Sequence, residues 1–174
     1  MKEKTWFVKS FIVILLAGVL ISSCKKDEDD KDPQDDLIGT WTSGISTIDA
    51  KVGDIAMNQY FIDSLGLSPS EAQVYTTLFN LTVQQSYAGT VTFNANGTYS
   101  ITFGGDTDTG TWVLSSDNKQ LTLDSNLDPP VLLDVVRLTA NELVLTWNEI
   151  VSEDINEDGV PEVISVDVEM TLTK

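Results

Sequence analysis

The stretch GTVTFNANGTYSITF, residues 89–103, decides the architecture. Val91 and Phe93 alternate with Thr90 and Thr92. After a short gap, Tyr99, Ile101 and Phe103 alternate with Ser100 and Thr102. Side chains of a strand point to opposite faces in turn, so this period of two predicts two strands, each with one apolar and one hydroxyl-bearing face. Asn96-Gly97 between them predicts a tight turn with positive φ at both residues, which lays one strand antiparallel on the other. A sheet that is apolar on one side only is the antiparallel kind.

The same device repeats toward the C-terminus. GTWVLSSDNKQLTL, residues 110–123, sets Trp112 and Leu114 against Leu121 and Leu123 across a turn at Ser116-Asp117-Asn118. VLLDVVRL and ELVLTWNEI, residues 131–138 and 142–150, pair around Ala140-Asn141. In the last strand Ile164, Val166, Val168, Met170 and Leu172 face one way, and Ser165, Asp167, Glu169 and Thr171 the other. The body thus reads as mainly β, with about eight short strands spaced as in an antiparallel barrel or sandwich. Residues 54–87 break the alternation and read as two helices inserted after the first strand. Gly66 suits the end of the first. Ser68-Pro69-Ser70-Glu71 opens the second with an N-cap serine, a proline at the first helical position and a capping-box glutamate. Val74, Tyr75, Leu78, Phe79 and Thr82 follow at helical spacing.

Composition narrows the function. The chain of 174 residues carries 10 basic and 27 acidic side chains, a formal net charge of −17. Phosphate contacts need Lys and Arg, so no nucleic-acid partner is expected. There is no histidine, the commonest general base and metal ligand. With one cysteine, neither an intrachain disulfide nor a zinc–thiolate cluster can form. No G-x-S-x-G motif occurs, and Gly104-Gly105 separates strands instead of opening a phosphate-binding helix. The expectation is a protein that is not an enzyme.

The N-terminal segment tells where it works. Lys2, Lys4 and Lys9 precede an unbroken apolar run at residues 11–21. Eleven residues fall short of the roughly 20 that span a bilayer, and the order is that of a secretory signal peptide. Ile21-Ser22-Ser23-Cys24 resembles the lipobox of bacterial lipoproteins. The resemblance implies that the Cys24 thiolate takes a diacylglycerol group and that residues 1–23 are removed. Several acyl chains would then hold the protein on a membrane. KKDEDDKDPQDD, residues 25–36, has no apolar residue and reads as a solvated tether. Lys26-Asp27-Glu28-Asp29-Asp30 after the lipidated cysteine resembles the surface-export signal of Bacteroidetes lipoproteins; a plain spacer is the alternative. Without residues 1–23, which hold three Lys and one Glu, the chain keeps 7 basic and 26 acidic residues, net −19.

Over residues 37–174 the short motifs LIGTW, F-x-x-x-G-T-Y, G-T-W-x-L and L-T-x-x-x-L-V-L resemble the lipocalin-like domains of Bacteroidetes lipoproteins. The resemblance implies a lipocalin-like barrel of about eight strands. Gly39 and Trp41 would close one end of it, and Arg137, the chain's only arginine, would pack over Trp41. An exposed strand arginine is the alternative. The two helices also resemble the portal lid of fatty-acid-binding proteins. Such a barrel either holds a small apolar ligand, with Tyr99, Phe103, Trp112 and Trp147 lining its site, or is filled by those residues and serves as a protein- or glycan-interaction module of the outer membrane.

DINEDGVPE, residues 154–162, begins D-x-N-x-D-G, the start of a calcium loop with oxygen ligands at alternate positions and a glycine for the turn. It resembles the calcium hairpin of FG-GAP-type β-propeller repeats. That resemblance implies a structural calcium held by the side chains of Asp154, Asn156, Asp158 and Glu162 and the Val160 carbonyl. Asp, Asn and Gly are also ordinary turn residues, so an acidic hairpin turn is the competing reading. The organisation expected is a signal peptide at 1–23, the lipidated cysteine and tether at 24–36, and the barrel at 37–174. Such a chain would sit on the bacterial outer membrane, lipid-anchored and facing the exterior.

Overall fold

The computed structural model describes residues 33–174. Each apolar alternation becomes a strand turned toward one interior. Helix α1, Pro33–Leu37, leads into the long strand β1, Gly39–Val52. The two-residue strand β2, Ile55–Ala56, folds back on the end of β1. Helices α2, Met57–Asp63, and α3, Pro69–Ser86, follow. Then comes an uninterrupted antiparallel meander: β3, Gly89–Phe93; β4, Thr98–Phe103; β5, Asp106–Leu114; β6, Gln120–Ser125; β7, Val131–Leu138; β8, Glu142–Glu153; β9, Glu162–Thr173. Every strand pairs with its neighbour, and β9 pairs with β1, so the sheet closes into an eight-stranded antiparallel barrel. Closure removes the free edges that an open sheet would expose.

The strands differ in length, and this divides the core. At about 3.3 Å per residue, β8 and β9 (12 residues each) run about 40 Å, while β4 and β6 (6 each) run about 20 Å. The long strands, with β1, extend past the barrel at one end, and their apolar face needs a cover there. Met57, Tyr60 and Phe61 of α2 and Ala72 of α3 bury it, packing with Ile48, Ala50, Val52, Ile164, Val166 and Val168. The barrel's own core lies below, around Trp41, Phe93, Trp112, Leu121, Leu143 and Leu172.

Four details depart from the sequence reading. First, the β3–β4 turn spans Asn94–Gly97: the Gly97 amide bonds the Asn94 carbonyl and the Asn94 amide bonds Thr98. Gly97 alone takes positive φ, at 79°, and Asn96 does not. Second, the helical pair follows β2 instead of β1. Third, residues 33–36, read as tether, form the first turn of α1, whose Leu37 is fully buried. Fourth, α3 turns Ala72, Thr76, Phe79 and Val83 inward and leaves Val74, Tyr75, Leu78 and Leu81 exposed. Its start matches expectation: Ser68 Oγ accepts from the Glu71 amide, Glu71 accepts from the Ser68 amide, and Pro69 is the first helical residue.

Candidate functional site

The barrel holds a cavity of about 480 Å³. Its floor is apolar, with Val91, Ile101, Leu133, Leu145 and Met170. Its mouth lies among Phe103, the β6–β7 loop at Asp128-Pro129, Trp147 to Ile150 on β8, and Tyr87 just after α3. The same alternation that builds the core builds this wall. On β5 the inward positions run Asp108, Gly110, Trp112, Leu114; on β8 they run Leu143, Leu145, Trp147, Glu149. Each series turns from apolar to polar toward the mouth.

Two polar arrangements face this space. On one wall Asp108 accepts from the Tyr99 hydroxyl at 2.6 Å through one oxygen, and from the Ser125 hydroxyl at 2.7 Å through the other. Partial burial works to raise the Asp108 carboxyl, but the bonds from Tyr99, Ser125 and the Thr109 amide outweigh it and hold the group below the usual carboxylate range. Burial first, then the bond to Asp108, pushes the Tyr99 phenol well up. Gly110 makes this contact feasible. A Cβ there would lie 2.0 Å from the Asp124 carbonyl oxygen and 2.9 Å from the Tyr99 ring. At the mouth Tyr87 packs edge-on against Trp147, centroids 5.2 Å apart, and against Phe103 at 6.2 Å. Its hydroxyl donates to Glu149. Burial and that carboxylate raise the Tyr87 phenol as well.

The residues anticipated from sequence fall out unevenly. Tyr99, Phe103 and Trp147 line the cavity. Trp112 does not: it sits below, edge-on to Phe93 at 5.9 Å, with its indole N–H on the Asn94 carbonyl at 3.1 Å. Gly39 and Trp41 stand at the closed end. Trp41 is fully buried and donates to the Leu37 carbonyl at 2.8 Å. Arg137 is not its cover. A bulge in β7 between Val135 and Arg137 shifts the alternation by one residue, so Leu138 turns in and Arg137 turns out to pair with Glu142 at 2.7 Å. The cation over the Trp41 ring is Lys174, 4.3 Å from its centroid, and it also donates to the carbonyls of Asp36 and Ile38. Gly39, at φ +130°, leaves room for it: a Cβ there would meet Lys174 Cε at 3.1 Å.

In the β8–β9 hairpin the oxygen side chains are engaged by amides of the loop itself. Asp154 accepts the amides of Asp158 and Gly159, Asn156 accepts that of Asp158, and Asp158 accepts that of Val160. Glu162 turns away to the Tyr60 hydroxyl at 2.6 Å and the Ile155 amide at 2.9 Å. Val160 is exposed. Among the described residues no three acidic, His or Cys side chains are grouped to hold a metal ion. The loop closes on its own amides. Cys24 and the acidic run at 25–32 lie outside the described residues.

Sequence reasoning missed Asp108, Ser125, Tyr87 and Glu149. The signal was present for three of them. Asp108, Ser125 and Glu149 each occupy an inward position of an alternating strand, and a polar residue at an apolar position is the informative exception. Tyr87 carries no such mark, because its place depends on how α3 ends.

No family model matches the sequence, and no curated protein matches it. Among solved structures, the crystal structure of a DUF4847 family protein from Bacteroides vulgatus is similar over 79% of this chain and 92% of that one, at 13% identity and a TM-score of 0.40.

Proposed function

We propose that the protein is a non-enzymatic binding protein: a lipocalin-like barrel that takes one small apolar ligand, held by lipid on Cys24 at the outer membrane and facing the exterior. The observation that carries the binding reading is the cavity, about 480 Å³ and floored by apolar side chains. Ligand sites of roughly 300–1,000 Å³ are mostly apolar with a few placed polar groups. The anchoring part rests on the lipobox and the acidic run after it. A neutral dye such as Nile red tests the binding part. Saturable micromolar binding is expected, with loss in Leu145→Trp, which fills the floor. Absence of saturable binding in the unmodified protein overturns the reading.

One observation favours docking on an envelope partner in addition. Val74, Leu78 and Leu81 lie exposed along one side of α3, and exposed apolar stripes mark interaction surfaces. A pull-down from envelope extracts that depends on Leu78 and Leu81 would support this role, and one indifferent to both would end it.

A further inference from the structure

The cavity's charge is one-sided. Three carboxylates line it at separate places: Asp108 on β5, Asp128 in the β6–β7 loop and Glu149 on β8. No Lys or Arg lines it, and the chain has no histidine. A fatty-acid site needs a cation or a set of donors for the carboxylate of its ligand. Here a carboxylate ligand would approach like charges in a partly desolvated space, where such repulsion is strong. The chain's negative net charge adds to it at longer range.

Asp108 also holds an unused capacity. A carboxylate has about four acceptor positions. The Tyr99 and Ser125 hydroxyls take two of them, one on each oxygen. The group is thereby fixed in orientation at the cavity wall with capacity left for a further donor. A charged donor makes the stronger bond to a carboxylate, roughly twice that of a neutral one.

We infer that the ligand is a cationic amphiphile, an apolar chain or ring carrying a protonated amine, with the amine seated against Asp108 and drawn in past Asp128 and Glu149. This deepens the binding reading above and rests on it. Tyr87, bonded to Glu149 at the mouth, would give up that bond as an amine passes.

Displacement of Nile red by 1-decylamine, 1-decanol and decanoate at pH 7 separates the charge from the chain. Decylamine is expected to bind at least tenfold more tightly than decanoate, with decanol between them, and added salt should narrow the spread. Asp108→Asn should remove most of the preference for decylamine over decanol. Glu149→Gln, at the exposed mouth, should weaken it in the same sense if Asp108→Asn fails to fold. Decanoate binding as well as decylamine would overturn the inference while leaving the cavity a ligand site. A preference that survives both substitutions would also overturn it. Failure of all three compounds and the dye to bind would remove the binding reading itself.

Discussion

At the scale of single residues, the cation at the closed end is the sharpest correction. The G-x-W motif was legible because Gly39 and Trp41 lie two residues apart and their roles are local. The choice between Arg137 and Lys174 was not, because one β7 bulge decides which way Arg137 points. Lys174→Met should cost about 1–2 kcal/mol, through loss of the Trp41 contact and two bonds to carbonyls. Arg137→Met, which breaks only an exposed ion pair, should leave stability nearly unchanged. Urea denaturation of both variants checks the pair; equal effects would count against Lys174 as the cover. Asp108 and Tyr99 make a second test through pH. The Asp108 pKa is lowered on folding, so its contribution is present above the unfolded value near 3.9 and is lost as the pH falls through the folded one. The Tyr99 pKa is raised, so its contribution is present below about pH 10 and is lost as the pH rises beyond. Asp108→Asn should flatten the acid limb of stability against pH, and Tyr99→Phe the alkaline limb. Unchanged limbs would mean that the pair does not form. Gly110→Ala should cost about 1–3 kcal/mol, because the added carbon meets backbone as well as the Tyr99 ring.

At the scale of elements, strands were legible wherever alternation was strict, as in β9, and the capping box announced the start of α3 to the residue. What escaped was context. Helix spacing from Val74 to Thr82 marks an amphipathic stretch without saying which stripe packs; α3 buries Ala72 fully and Phe79 in part against the β1–β9 face. Ser68→Ala should lower stability by about 1 kcal/mol, read as a drop in melting temperature. The D-x-N-x-D-G pattern was equally ambiguous, because the oxygens that ligate calcium also accept amides in a turn. With Glu162 engaged by Tyr60 and Ile155, melting should coincide in several millimolar calcium and in chelator. A rise of several degrees with calcium, abolished by Asp154→Ala and Asp158→Ala, would favour the metal reading instead.

For the whole molecule, about eight antiparallel strands were legible, but counting them left barrel and sandwich open; closure rests on the long-range pairing of β1 with β9, and the cavity was not legible either. Whether inward residues meet or leave space depends on strand lengths and on where the helices pack; they lie on the long β1–β9 face, and of the helical region only Tyr87 at its end lines the cavity. The anchor belongs to this scale too. Mass spectrometry of the mature N-terminal peptide should find Cys24 acylated and residues 1–23 gone, and an unmodified Cys24 would refute it. The central claim, that this cavity is where the ligand binds, is tested most directly by methyl NMR during titration with neutral 1-decanol. Saturable shifts are predicted at Ile101, Leu133 and Leu145, with Val74, Leu78 and Leu81 on α3 unmoved. No shifts, or shifts confined to the α3 methyls, would contradict it.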